Sequence, residues 1–204
     1  MKWLWITLII IGLLLAGFFL LNSLSKNQLP SNDKDGRIPA PGQRHNFSGK
    51  NAVKTIVSKE ITEFEFKSQG SFLGQDQNKR ACDFCNFKLI RKNNEALCHT
   101  YGYKYDEVVF KDEFSVPISS LDDLQELVDR HELAKLNGTG GYTDGLPQDF
   151  GSTLMIKYAS GEMIYASDNN TPIVPVKASL DIFNFFAALA DGAGHAFDSE
   201  TDTE

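Results

Sequence analysis

The sequence predicts an α+β domain: an antiparallel sheet of about five to six strands with two helices packed on one face, preceded by one N-terminal transmembrane helix. Three observations predict it. A charge-free apolar run opens the 204-residue chain. Period-two alternation then recurs as far as Val116. Beyond it come a helical period, a hairpin and a second helical period. The strands do not alternate regularly with helices, so a parallel doubly wound sheet is not expected.

The first element is the apolar run. Trp3 to Leu21 is apolar except for Thr7, and no charge lies between Lys2 and Lys26. At about 1.5 Å per residue it spans roughly 30 Å, the hydrocarbon thickness of a bilayer. Trp3 and Trp5 are the only tryptophans and lie at one end, where interfacial rings are favoured. The run exceeds the length of a signal-peptide core, and Ala16-Gly17 comes too early for a good cleavage site. No cysteine follows closely, which excludes a lipoprotein-type anchor. Residues 1–25 therefore read as an uncleaved, single-pass anchor that engages the membrane through residues 3–24.

Residues 26–58 read as a disordered basic tether. Pro30, Pro39, Pro41, Gly36 and Gly42 stand among polar residues that cannot form a core. Residues 1–60 hold eight Lys/Arg and three Asp/Glu, a net +5; residues 61–204 hold twelve and twenty-four, a net -12. Together these make the formal -7 of the chain. An acidic domain argues against nucleic acid as a partner. Residues 59–192 form the domain, and residues 193–204 read as a disordered acidic tail.

Within the domain, Ile61, Phe64 and Phe66 alternate with polar residues as a strand with one imperfect step. Gly70 to Arg80 is a polar loop. Asp83 to Arg91 and Ala96 to Tyr105 form a hairpin around Asn93-Asn94, which places Cys85 opposite Gly102 and Cys98 opposite Leu89. Val108 to Phe110 and Phe114 to Val116 are short β-prone pieces. Ser119 or Ser120 caps a helix carrying Leu121, Leu124, Leu127, Val128 and His131 at helical spacing, closed by Asn137-Gly138. Residues 138–149 read as a Gly-rich loop. Thr153 to Ala159 and Glu162 to Ser167 form a hairpin around Ser160-Gly161. With Ala159 opposite Glu162, Leu154, Ile156 and Tyr158 would share a face with Met163 and Tyr165. Pro175 opens a last helix with the stripe Val176, Leu180, Phe183, Phe186, Ala187 and Ala190.

The most suggestive chemical cluster is Cys82, Cys85, Cys98 and His99. Three thiols and an imidazole are a zinc donor set, and Cys82-x-x-Cys85 is a redox spacing. Strand geometry opposes both. Cys85 and Cys98 stand four positions apart along the ladder, roughly 13 Å, and a regular strand turns Cys82 and Cys85 to opposite faces. A Cys82–Cys85 disulfide requires a non-regular strand start. Asn137-Gly-Thr-Gly-Gly141 lacks the spacing of a phosphate loop and follows a helix instead of preceding one. His45 falls in the tether, His131 on a helix face and His195 in the tail. No catalytic set and no cofactor site can be nominated. Asn46, Asn137 and Asn169 head N-x-S/T sequons.

From Ile61 to Leu189 the order of features resembles a group of uncharacterised exported proteins of Gram-positive and gut bacteria. The resemblance rests on Ile61-Thr62-x-Phe64 followed by Gly70, and on the helix Leu121-x-x-Leu124-x-x-Leu127-Val128 ending at Leu136-Asn137-Gly138. It continues through Ile156-x-Tyr158-x-x-Gly161-Glu162, Ile164-x-Ala166-Ser167 and the Phe-rich closing helix. It implies a domain facing outward from the cell membrane and carries over no catalytic residue. A positive-inside count opposes that orientation, because Lys26, Lys34, Arg37 and Arg44 follow the span and only Lys2 precedes it. The expected function is a membrane-anchored, non-catalytic extracytoplasmic domain with a binding or accessory role at the cell envelope. The alternatives are a zinc or thiol-redox protein using Cys82, Cys85, Cys98 and His99, and an acidic inhibitor or immunity-like protein for a basic partner.

Overall fold

The computed structural model describes residues 42–69, 82–105, 107–147 and 150–195. The predicted anchor (1–25), the tether as far as residue 41, the loop 70–81 and the tail from residue 196 lie outside the described residues. Among the described residues, no helix is long and apolar enough to cross a membrane.

The elements run β1 (Arg44–Ser48), β2 (Ile61–Gln69), β3 (Phe84–Lys92), β4 (Glu95–Lys104) and β5 (Glu107–Pro117), then helix α1 (Ser120–Arg130) and a 3-10 turn (Leu133–Leu136). They finish with β6 (Thr139–Thr143), β7 (Ser152–Tyr158), β8 (Met163–Asp168) and helix α2 (Val176–Gly192). The strands form one sheet in the order β1-β6-β8-β7-β2-β3-β4-β5. The α+β class holds, but the sheet has eight strands where five to six were expected. It is also mixed, because β6 and β8 pair in parallel.

The two extra strands come from segments read as tether and as loop. Neither β1 (RHNFS) nor β6 (TGGYT) has an apolar alternation to announce it. They form because the backbones fit closely. A Cβ on Gly140 would stand 1.9 Å from the Ser167 carbonyl oxygen, and one on Gly141 would stand 2.5 Å from that of His45. These glycines admit neighbouring strands; they do not loosen a loop.

The central strands follow their pattern. Ile61, Phe64 and Phe66 are fully buried, and the imperfect step is a register shift between Ile61 and Glu63. Asn93 takes φ 52° in the first hairpin, and the ladder puts Cys85 against Gly102 and Cys98 against Leu89, as the spacing requires. The two β-prone pieces 108–110 and 114–116 are one strand, since Lys111, Asp112 and Glu113 continue the alternation at a sheet edge.

The second hairpin differs from its expected register by one residue. Leu154 pairs with Ala166 and Ile156 with Ile164, so Met163 and Tyr165 fall on the opposite face from Leu154, Ile156 and Tyr158. Only Gly161 has positive φ, and Tyr158 N–H donates to the Glu162 carbonyl. That is a three-residue loop closed by a left-handed glycine; a two-residue loop needs different dihedrals.

Both helices supply the core that lies on one face of the sheet. Helix α1 buries Leu121, Leu124, Leu127 and Val128 but stops at Arg130, where Glu132 turns to φ 51°. Its N-terminus uses the Ser119 carbonyl, which accepts from the N–H groups of Asp122 and Asp123, and the expected side-chain cap does not form. Helix α2 buries Ala178, Ser179, Ile182, Phe183, Phe186, Ala187 and Ala190, while Val176 is exposed and Leu180 half-buried. The buried stripe is therefore rotated around the helix, running through Ala178, Ser179 and Ile182 where Val176 and Leu180 were expected. The Phe186 ring stacks on Phe87 at 4.8 Å, and Phe183 meets Phe87 edge-on at 5.7 Å.

Asn137 ties the polar segment ahead of β2 to the sheet. It is 2% exposed; its Nδ2 donates to the Val53 carbonyl at 2.8 Å, and its Oδ1 accepts from Tyr165 N–H at 2.9 Å. Lys54 donates to its backbone carbonyl. Further along, Glu162 accepts from the N–H groups of Val57 and Ser58. Residues 42–58 are thus part of the folded unit, held by hydrogen bonds where composition shows only polarity. Asn137→Ala leaves the Val53 carbonyl and the Tyr165 N–H without their partners, for an expected loss of about 1–3 kcal/mol in a urea titration. A loss below about 1 kcal/mol would remove Asn137 from this role.

Candidate functional site

The structure brings Cys82 and Cys85 together and separates the other two sulfur and nitrogen donors from them. Cys82 precedes β3, and the chain bends at Asp83, whose N–H donates to the Tyr103 carbonyl at 2.8 Å and whose Oδ2 accepts from Tyr105 N–H at 3.0 Å. Because it lies before the regular strand, Cys82 turns into the core beside Cys85, contrary to the expectation of opposite faces. Burial pushes the Cys85 thiol well up, and its hydrogen bond with Cys82 pushes it further. Cys98 lies in the core between Leu89 and Phe114, and burial pushes its thiol up to about 12.

His99 points the other way. It occupies the face opposite the helices, with Nδ1 3.0 Å from Glu113 Oε2. The period of two that buries Cys98 exposes its neighbour. The four proposed zinc donors do not converge, and no group of three or more His, Cys, Asp or Glu among the described residues is arranged to hold a metal. The three thiols are free and buried, which suits packing better than nucleophilic work. A thiol-reactive dye at pH 7 is expected to leave all three unlabelled in the folded chain and to label them in step with unfolding. Fast labelling of any one before unfolding would refute that burial.

A second cluster, unforeseen in the sequence, closes the β1 end of the sheet. Arg44 donates to Asp168 at 2.6 and 3.3 Å, across 124 residues of chain. Asp168 is 3% exposed and also accepts from the N–H groups of Asn170 and Thr171. Burial alone would raise the Asp168 carboxyl; Arg44 and those two N–H groups outweigh it and hold the carboxyl below its ordinary range. Asn169 is buried beside it, exchanging hydrogen bonds with both backbone groups of Thr143. On the opposite face His45 stacks on Tyr142 at 4.4 Å and meets Asp144 at 3.0 Å. His45 is therefore a strand residue, not part of a tether, and the buried Asn137 and Asn169 are structural amides. Only Asn46, of the three sequon asparagines, is exposed.

The groups of this corner satisfy one another, so it acts as a latch on β1. A folded carboxyl held low contributes stability that is complete above the unfolded value, near 3.9, and is lost as the pH falls through the folded value. Arg44→Ala should then destabilise by about 1–2 kcal/mol at pH 7, a figure reduced for the partial exposure of Arg44. The difference from the parent should shrink as the pH falls below about 4. A difference independent of pH in urea titrations would break the assignment.

Two shallow grooves lie among the described residues. One, of 360 Å³, lies between the helices and is lined by Asp123, Glu126, Arg130, Asp181, Asn184 and Phe185. His131 borders it, with Nε2 2.7 Å from Asp181 Oδ2. The other, of 380 Å³, crosses β4 and β5 at His99, Tyr101, Lys111 and Glu113.

The broadest feature is the face of the sheet on which no helix lies among the described residues, here the helix-free face. Phe84 stacks on Tyr103 at 5.1 Å and meets Tyr101 edge-on at 6.2 Å, and all three are half-buried. Beside them Glu63 sits between Lys88 at 2.8 Å and Lys157 at 2.7 Å. Burial would raise the Glu63 carboxyl, but the bonds from Lys157 and Lys88 hold it low. Met155, Met163 and Tyr165 extend the half-buried surface toward β8. Met163 and Tyr165, expected on the apolar face, reach this one through the one-residue difference in the second hairpin's register. No family model, curated protein or solved structure matches the chain.

Proposed function

We propose that this chain is a membrane-tethered, non-catalytic domain that faces outward from the cell membrane and works by binding at the cell envelope. The observation that carries the reading is the one-sided architecture. Both helices feed the core on one face, and the other face presents Phe84, Tyr101 and Tyr103 beside the Lys88–Glu63–Lys157 bridge. Aromatic residues with a polar handle are what protein-binding surfaces enrich. The apolar run 3–24 supports the tether, and the resemblance to exported bacterial proteins supports the outward orientation. A second reading, the acidic inhibitor of a basic partner, draws on the interhelical groove, where Asp123, Glu126 and Asp181 outnumber Arg130.

Two experiments test these readings. Alkaline phosphatase fused after residue 204 should be active and green fluorescent protein at the same point dark; the reverse pattern would sink the orientation. A photo-crosslinking amino acid at Tyr103 should capture a protein in the native cell, and one at Asn184 should not. Capture from Asn184 alone would favour the inhibitor reading, and capture from neither position would overturn a binding role.

A further inference from the structure

Among the described residues the sheet ends in two unpaired edges, β1 and β5, and they are unlike. The β1 edge is five residues long and latched by Arg44. The β5 edge is eleven residues long, about twice the usual strand, and leaves every second N–H and carbonyl facing away from β4. Such an edge is a template for another strand unless something blunts it. Charge is the common means, and β5 carries Lys111, Asp112 and Glu113 at its centre.

The order of those charges is the informative point. Read outward from Asp112 in both directions, β5 gives Lys111 and Glu113, then Phe110 and Phe114, then Val109 and Ser115, then Val108 and Val116. An antiparallel copy centred on Asp112 therefore sets each Lys111 against a Glu113 and each Phe110 against a Phe114. Shifting the centre to Lys111 sets lysine against lysine and Phe110 against Asp112. Shifting it to Glu113 sets glutamate against glutamate and Asp112 against Phe114. A run of one sign would repel a copy in every register; this strand is self-complementary in one.

The side chains are placed for it. Lys111 and Glu113 lie on the helix-free face, both exposed, and Lys111 has no ion-pair partner among the described residues. Glu113 holds His99 on its inner side and is 61% exposed. Phe110 and Phe114 lie on the core face, each 7% exposed. The register shift in β5 falls between Phe110 and Val108 and leaves Phe110 to Pro117 evenly paired with β4. The one like-charge meeting is Asp112 against its own copy, and on each chain His195 Nδ1 lies 3.1 Å from Asp112 Oδ1.

From this geometry we propose that β5 is a homodimer interface: two copies pair antiparallel along β5, centred on Asp112, into one continuous sixteen-stranded sheet. This goes beyond the binding role proposed above and does not depend on it. In the dimer the two helix-free faces adjoin across the seam.

The test uses the full chain and exploits the two-fold axis. Asp112→Cys places a thiol opposite itself at a separation that a disulfide spans. Under an added copper–phenanthroline oxidant it should give a covalent dimer on a non-reducing gel. The parent chain, with its three buried thiols, and Ser115→Cys, which faces Val109 of the second copy, should stay monomeric. In the Asp112→Cys background, Lys111→Glu should cut the dimer yield by about tenfold, because two attractive pairs become two repulsive ones. Adding Glu113→Lys should restore it. A monomeric Asp112→Cys chain, equal crosslinking of Ser115→Cys, or no recovery in the charge-swapped chain would each overturn the interface.

Discussion

The fold depends on a stack of aromatic rings at the centre of the sheet. Phe87 on β3 receives Phe186 face to face and Phe183 edge-on, and Phe186 also meets Phe64 on β2. Offset and edge-on rings gain contact beyond simple area burial. The stack sets where α2 crosses the strands. Its span places Ala187 and Ala190 against the sheet, where small residues let the helix backbone come close. Helix α1 fills the rest of the same face with leucines, and that face is then complete.

The peripheral strands are held by a different kind of force. β1 and β6 contribute little to the apolar core. Closely fitted glycines, the buried amides of Asn137 and Asn169, and the Arg44–Asp168 ion pair hold them in place. Such bonds tolerate no substitute geometry, because an unpaired buried amide costs more than the bond itself contributes. The sheet therefore grades from an aromatic centre, insensitive to small shifts, to a polar end that requires each partner in place.

Completing one face leaves the other open, and the open face is where chemistry accessible to a partner collects. The tyrosines, His99 and the Glu63 bridge all stand there, while the thiols that looked most reactive are shut into the core. The same two-residue alternation does both. It sends Cys85 and Cys98 inward and Tyr101, Tyr103 and His99 outward, so reactivity in sequence and accessibility in the fold separate strand by strand.

Local pattern was enough to read the central strands, the Asn93-Asn94 hairpin with its register and the two helices, because each buries its own apolar face at its own period. It was enough to show that Cys98 and Cys85 stand apart. It could not show β1 or β6, whose pairing partners lie far along the chain and whose residues bury little. It misjudged the second hairpin by one residue, because the loop dihedrals, not the Ser160-Gly161 pair, set the register. The bend at Asp83 that brings Cys82 beside Cys85 needs Tyr103 and Tyr105 from the neighbouring strand. The Arg44–Asp168 latch joins residues too distant for any spacing to suggest. The sequence by itself determined which side chains each strand turns to each side. Tertiary structure alone decided which side the helices would cover and which strand would be left at the edge, since both depend on contacts between segments with no local signature of one another.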